Sequence, residues 1–482
     1  MTNLRCVLLL LVCSLAPKLS DLAAQSRPAA DRYELGLRLR AFERQLDRTT
    51  DAARRKAAFV ELDAAVQAFF GMNLDAVATS VEAAATALHA KVPTDDERFA
   101  ARLWLHLPQR LVDCEAVSVA CELRSLPPPR GDDEFVAPTD AVLVLRVVGH
   151  DAELARLAIG ELPQTVALPL AGLSAGDLTL QWSVQRGATV LQVREQGISL
   201  VTARDQRLKA LEQSADATED RTDLEGHTLM RLVRTLRGMT KDHSEETILP
   251  GARLLAEAES LAKLEANARH YAATASGQYW LCVPTEKGAV HVRLCLPANS
   301  TAGDLAPLVL ALHGAGGSEN LFCDGYGDGA TVRQCAERGW ILCAPRSSGM
   351  TGVELPALID ALAERFPVDR DRVVLIGHSM GAMQAIAQAT RAPDRFAAVA
   401  ALGGGGSVRA GAKLERLPFF VGAGERDFGR NGAYSLSQQL AKVEAKTTWR
   451  EYADVEHLAV VQVALPDVFA FFDRSLEAAR AR

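Results

Sequence analysis

A serine between two glycines is the first candidate for covalent chemistry in the sequence. In "LIGHSMGAMQA", Ser379 lies between Gly377 and Gly381, where an apolar run becomes an alanine-rich helical pattern. A nucleophilic serine at such a strand-to-helix turn needs glycines two positions away, because side chains there would collide with the strand or the helix. The pattern predicts a nucleophile, but it also suits a small residue in a turn. The choice depends on partners elsewhere in the chain.

A serine hydroxyl needs a histidine base, and the base needs a carboxylate that holds its tautomer and stabilises its charge. His457, in "YADVEHLAV", is the only histidine after Ser379. Asp427 follows the apolar run "LPFFVG", and its offset from that run would let the chain curl back over a sheet. We therefore predict the order Ser379, Asp427, His457. The competing acids, interpreted as solvated loop charges, are Glu425, Asp454 and Glu456.

Ester or amide cleavage through a serine also requires hydrogen-bond donors for the oxyanion. The small residues of "LALHGAGGSEN" let its backbone approach a substrate carbonyl closely. We predict that the donors are the N–H of Met380 and the N–H of Ala315 or Gly316. His313 and His378 are expected to bond locally rather than transfer protons. A phosphate loop is excluded, since no G-K-[ST] ending follows the glycines.

The elements that must position these residues alternate between strands and helices from residue 277 onward. A hairpin, "YWLCVP" with "AVHVRLCLP", precedes five apolar runs, which are "APLVLALHG", "WILCAP", "RVVLIG", "AAVAAL" and "LPFFVGAG". Buried strands that alternate with helices indicate a mostly parallel sheet covered on both faces. We predict a doubly wound α/β domain over 277–482, with the site at the carboxyl ends of its strands.

The four motifs "LVLALHGAGGSEN", "DRVVLIGHSMGA", "VGAGERD" and "EHLAV" together resemble the α/β-hydrolase esterases. The branch in question contains polyhydroxybutyrate-depolymerase-like and feruloyl-esterase-like enzymes, dienelactone hydrolases and the catalytic domains of prolyl-oligopeptidase-type peptidases. The resemblance implies a serine hydrolase of small or polymeric carboxylic esters that uses no metal or organic cofactor. Two alternatives remain at this point: a prolyl-oligopeptidase-type peptidase, and a non-catalytic binding or scaffold protein with a hydrolase-like domain.

The N-terminus has the pattern of a signal peptide over residues 1–24. Arg5 precedes an apolar stretch from Cys6 to Ala16, and small residues follow at Ala23 and Ala24. We expect export, to the periplasm or the medium. The apolar stretch is too short to span a bilayer, and no later run approaches the ~18 apolar residues that a stable membrane span requires.

The stretch between the leader and residue 277 divides into three parts by its predicted secondary structure. We predict a helical region over 25–130, a β-rich, sandwich-like domain over 131–203 and a helical connector over 204–276. This stretch either docks near the pocket and limits access to it or forms an independent binding module. The sequence favours neither.

Composition limits the partners. The 482 residues are 48% hydrophobic with a net charge of -7, and no long single-sign run occurs, which argues against a nucleic-acid partner. The seven cysteines after the leader contain no C-x-x-C pair, so a zinc site is not expected. "CDGYGDG", at 323–329, lacks the spacing of a calcium loop and is predicted to be a surface turn beside the site. The oligomeric state stays open.

Overall fold

The computed structural model describes residues 30–127, 138–150, 152–217, 220–243, 245–265, 268–271, 275–298, 304–347 and 352–480. The predicted signal peptide at 1–24 lies outside the described residues. So does the predicted boundary at residues 130 and 131. Within the described part of the chain, no helix combines the length and the apolar character that a membrane span requires.

Four helices open the described chain, each beginning after a side chain that accepts a hydrogen bond from the first turn. They are α1 (Arg32–Arg48), α2 (Ala52–Phe70), α3 (Leu74–Ala87) and α4 (Asp95–Arg102), and their caps are Asp31, Asp51, Asn73 and Thr94. The predicted helical region over 25–130 is wrong beyond Arg102, because strands begin at the next residue. The first of these strands is buried at all four positions, so it has none of the alternation that identifies a strand.

In the described part of 103–201, eight strands form two sheets around one core. The strands are β1 (Leu103–His106), β2 (Leu111–Asp113), β3 (Ser118–Ser125), β4 (Ala141–Val147), β5 (Glu153–Ala158), β6 (Gln164–Pro169), β7 (Gly176–Arg186) and β8 (Thr189–Val201). One sheet has the order β1-β3-β6 and the other the order β2-β8-β7-β4-β5. Trp104 of the first sheet contacts Trp182 of the second, with ring centroids 6.0 Å apart. The sandwich therefore includes β1, β2 and β3, which lie in the stretch that we predicted to be helical.

The stretch predicted as a connector, 204–276, contains α5 (Arg204–Ala217), α6 (Leu224–Met239) and α7 (Gly251–Ala262). Its helices share a hydrophobic core with the sheet that follows. Arg231 of α6 donates to the carbonyls of Leu281 and Val292 and pairs with Glu319, which is fully buried. A buried charge left unpaired is strongly destabilising. This stretch is thus part of the C-terminal unit, and a fragment beginning near residue 275 would keep Arg346 as a partner of Glu319 but lose Arg231.

The described residues of the C-terminal sheet form eight strands in the order β9-β10-β12-β11-β13-β14-β15-β16. They are β9 (Gly277–Thr285), β10 (Gly288–Leu296), β11 (Ala306–Leu312), β12 (Ile341–Pro345), β13 (Val368–His378), β14 (Ala398–Leu402), β15 (Phe419–Gly424) and β16 (Thr447–Tyr452). Strand β10 is antiparallel to both neighbours and the remaining pairs are parallel. This is the strand order of the α/β-hydrolase fold, and it confirms the predicted α/β class and the hairpin. Strand β16, a partly exposed edge strand, was not predicted.

Helices cover both faces of this sheet. Those that follow β11 in the chain are α8 (Ala330–Arg338), α9 (Leu355–Ala363), α10 (Met380–Arg391), α11 (Arg430–Lys442) and α12 (Val460–Arg480). Alternate residues of β11 belong to opposite cores: Leu310 to the core that contains side chains of α6, α7 and α9 to α11, and Val309 to the core that contains side chains of α8 and α12. The second core also contains side chains of α1, α2 and α3. The N-terminal helices therefore share a hydrophobic core with one side of the C-terminal sheet.

Candidate active site

Ser379 occupies the turn between β13 and α10 with φ 56° and ψ −116°. An L-residue adopts this conformation only under strain, and such strain is concentrated at functional sites. A Cβ atom on Gly377 would lie 2.2 Å from the Gly381 carbonyl oxygen, and one on Gly381 would lie 2.1 Å from that of Leu312. The two glycines are thus required by sterics, as the motif predicted.

His457 and Asp427 meet on neighbouring loops. The Nδ1 atom of His457 lies 2.7 Å from Oδ1 of Asp427, which also accepts the N–H of Gly429 at 2.6 Å. Both side chains are buried. Of the competing acids, Glu425 accepts the backbone N–H of Asp454 instead. The structure therefore brings together the predicted acid and the predicted base.

His378, next to the serine, bonds locally as predicted. Its Nε2 lies 2.9 Å from the carbonyl oxygen of His457, and its Nδ1 lies 2.6 Å from the hydroxyl of Tyr326. A carbonyl can only accept, so Nε2 carries the proton and Nδ1 accepts from the tyrosine. Burial, followed by the nearby His457, lowers the pKa of His378 to about 3. His378 is therefore neutral and fixes the backbone of His457.

The loop after β11 lines the same cavity as Ser379 and has peptide N–H groups without partners among the described residues. Ala315 and Gly316 are exposed, and no hydrogen bond between described residues uses their N–H groups. His313 is buried, where its Nδ1 lies 2.8 Å from the Gly314 carbonyl and its Nε2 accepts the N–H of Ser347. Met380 is the first residue of α10, so its N–H has no partner within the helix.

Ser379 and His457 line one cavity, which holds about 1000 Å³ including its open mouth. The loop residues Ala315 and Gly316 line it as well. The rest of the wall is mostly apolar and comes from the N-terminal helices. These side chains are Leu35, Leu39, Ala65, Val66, Phe69, Phe70, Val77 and Val81. Sequence reasoning missed them, because their helical spacing indicates a buried face without indicating what it faces.

The predicted surface turn at 323–329 is largely buried instead. Tyr326 is 1% exposed and lines the cavity, and Asp324 pairs with the buried Arg293. Asp328 pairs with Arg40 of α1 at 2.8 Å. The turn borders the site, as predicted, but its acids are used in ion pairs that tie it to β10 and α1.

Glu456, which we predicted to be a solvated loop charge, is fully buried. Its two oxygens accept the N–H groups of Leu458 and Ala459, directly before α12. Burial, which outweighs these hydrogen bonds, raises the pKa of Glu456 to about 8. The side chain thus stays protonated through neutral pH while it caps the chain that follows His457.

This glutamate makes the stability of the protein depend on pH. Between its ordinary pKa of 4.5 and the folded value of about 8, the folded state holds a proton that the unfolded state has lost. Stability therefore falls as pH rises across that window, by up to about 1.4 kcal/mol per pH unit. Urea unfolding at pH 5.5, 7 and 8.5 should show the advantage of wild type over Glu456→Gln shrinking as pH rises. Parallel curves for the two proteins would refute this, and Glu425→Gln is the exposed control.

One group among the described residues has the ligand types of a metal site. Atoms of Asp31, His106 and Asp242 lie within 4.8 Å of one another. Arg110 and Arg124 are close enough to lower the pKa of His106, after the larger effect of burial. None of the three potential ligands lines the Ser379 cavity.

The comparisons with known proteins agree with this site. Residues 353–464, which contain Ser379, Asp427 and His457, match the family described as "Putative esterase". No curated protein matches the chain.

Several solved structures are similar to parts of the chain. An S-formylglutathione hydrolase from Agrobacterium tumefaciens is 18% identical over 42% of this chain and 97% of its own, with a TM-score of 0.33. A ferulic acid esterase is 16% identical over 41% and 97%, with a TM-score of 0.36. A thermostable esterase is 12% identical over 76% and 99%, with a TM-score of 0.38. The matched family is described as an esterase, and the sheet order is that of the α/β-hydrolase fold.

Proposed function

We propose that the chain hydrolyses carboxylic esters through an acyl-enzyme, and the match of residues 353–464 to an esterase family model supports this. Ser379 is the nucleophile, His457 the general base and acid, and Asp427 the residue that orients His457. The N–H groups of Met380 and of Ala315 or Gly316 stabilise the oxyanion.

In the first half of the reaction, the Ser379 hydroxyl oxygen attacks the ester carbonyl carbon and its proton passes to Nε2 of His457. The tetrahedral intermediate collapses, the ester C–O bond breaks, and His457 gives the proton to the departing alcohol. In the second half, His457 takes a proton from water, whose oxygen attacks the acyl-enzyme. Release of the acid returns the proton to Ser379.

The observation that carries this proposal is the bond of 2.7 Å between His457 and Asp427 at the cavity lined by Ser379. With Nδ1 donating to the carboxylate, Nε2 of His457 is the nitrogen left free to accept a proton. The carboxylate stabilises the imidazolium that forms when the serine is deprotonated. No observation favours the peptidase alternative, and a scaffold would not require the strained turn at Ser379.

The proposal is tested with purified protein on two substrate panels. We expect turnover of p-nitrophenyl esters and at least about 100-fold lower kcat/KM on aminoacyl arylamides. The reverse preference would favour the peptidase. The absence of turnover on both panels by a folded protein would favour the scaffold.

Export is also a proposal, which rests on the leader pattern at residues 1–24. Its test is N-terminal sequencing of the protein recovered outside the cytoplasm of a bacterial host. Cleavage near Ala24 is expected. An intact N-terminus on cytoplasmic protein would contradict export.

A further inference from the structure

The outer wall of the Ser379 cavity is built by α1, α2 and α3, which precede the hydrolase fold in the chain. Its side chains are aliphatic or aromatic except for Arg32, which pairs at 2.8 Å with Glu246, a residue between α6 and α7 that also lines the cavity. An apolar wall binds an apolar group by removing its surface from water, at about 25 cal/mol for each Å² buried. The cavity therefore matches a substrate whose ester group carries a hydrocarbon portion.

Phe69 of α2 is the wall residue that reaches the oxyanion loop. A Cβ atom on Gly316 would lie 2.3 Å from Cζ of Phe69, so the ring fills the space where a side chain would stand. Gly316 has φ 75°, which also favours glycine there. The ring therefore borders the place where the substrate carbonyl must bind.

Contacts with the catalytic loops fix the position of α2. The ring of Phe70 lies edge-on to that of Phe428, with centroids 5.8 Å apart, and Phe428 lies 3.9 Å from the ring of His457. Two ion pairs connect α2 to the same loops, Asp63 with Arg426 and Lys56 with Asp454. The wall is thus held in register with the predicted base.

We infer that α2 is the specificity-determining element of the enzyme, with Phe69 and Val66 bounding a pocket for the apolar acyl chain of the ester. The inference rests on the proposed function. The acyl group, unlike the alcohol, takes part in both halves of the reaction and is bonded to Ser379 between them, so a wall beside Gly316 acts on it in each half. The substrate class is esters of straight-chain, apolar monocarboxylic acids.

The test compares two tryptophan variants on the same helix. Val66→Trp adds bulk inside the cavity, and Val60→Trp adds the same bulk at an exposed position that does not line it. With p-nitrophenyl esters from acetate to decanoate, Val66→Trp should lower the decanoate-to-acetate ratio of kcat/KM about 30-fold. Val60→Trp should leave this ratio unchanged. Phe69→Ala should raise kcat/KM for esters of branched or longer acyl groups, relative to the acetate ester, about 10-fold. Thermal melts check that each variant is folded.

A second series, acetate esters of alcohols of increasing length, distinguishes the two sides of the ester. If Val66→Trp and Phe69→Ala shift this series and not the acyl series, the assignment to the acyl chain is overturned. If they shift neither series while turnover continues, α2 is not the specificity element although the enzyme is an esterase.

A binding measurement separates this inference from the proposed function. Decanoate binding to Ser379→Ala can be measured without turnover, as the displacement of a bound fluorescent fatty acid. We expect a further Val66→Trp change to weaken that binding at least about 10-fold and a further Val60→Trp change to have no effect. Binding with this pattern in a protein that hydrolyses no ester would refute the proposed function and retain the pocket. Equal binding in the Val66→Trp and Val60→Trp proteins would overturn the pocket.

Discussion

Ser379→Ala is expected to lower kcat for p-nitrophenyl esters by about 10⁶-fold, the effect seen when the nucleophile of a serine hydrolase is removed. The loss should appear in kcat, because the cavity wall and the backbone donors that bind the ester are unchanged. Some rate above that in water should persist, since the oxyanion donors remain. Steady-state kinetics at saturating ester measures the effect. A reduction of only a few fold would contradict the role of Ser379.

Ser379→Gly is compared with Ser379→Ala. Both variants remove the hydroxyl, but only the glycine also removes the backbone strain. The positive φ of 56° is unfavourable for serine or alanine and acceptable for glycine. We expect this variant to be as inactive as Ser379→Ala but more stable to urea, by about 1 to 3 kcal/mol. Equal stability of the two variants would show that the turn is not strained.

Asp427→Asn is expected to reduce kcat on the order of 10⁴-fold. A neutral amide cannot stabilise the imidazolium that forms on His457 when Ser379 is deprotonated. The Asp427 oxygen that faces His457 also accepts the N–H of Gly429, so the amide oxygen can occupy the same place and the fold should survive. The expected loss is therefore one of rate, measured by kcat and checked by a thermal melt.

The neighbouring acids serve as controls for this variant. Asp454 pairs with Lys56 near the surface, and Glu425 accepts a backbone N–H. Asp454→Asn and Glu425→Gln should change kcat less than about threefold, since exposed pairs contribute little. A larger loss in either control than in Asp427→Asn would assign the acid differently.

The sequence predicted the site where each functional residue sits in a motif with its own steric requirement. Gly377 and Gly381 are required by the turn around Ser379, and His457 had no competing histidine after the serine. The alternating strands of the sheet were recognisable because each is an apolar run ended by glycine or proline. These signals are local, so one stretch of sequence contains them completely.

The remaining features depend on contacts between distant segments. Phe69 and Gly316 are far apart in the chain, and the helical spacing around Phe69 shows only that one face is buried. Glu456 lies in a polar loop whose composition resembles that of an exposed one, and it is buried because α12 and the His457 loop close over it. Arg231 of α6 pairs with the buried Glu319, which follows β11, so no single stretch of sequence contains both partners.

The central claim is that Ser379 forms the covalent intermediate, and a fluorophosphonate tests it most directly because the adduct with an activated serine does not turn over. Wild-type protein would be treated with one equivalent of the reagent, digested and mapped by mass spectrometry. The predicted result is one adduct per chain, on the peptide that contains Ser379, with loss of ester turnover in proportion to labelling. An adduct on another residue that accompanies the loss of turnover, or full turnover after Ser379 is labelled, would contradict the claim.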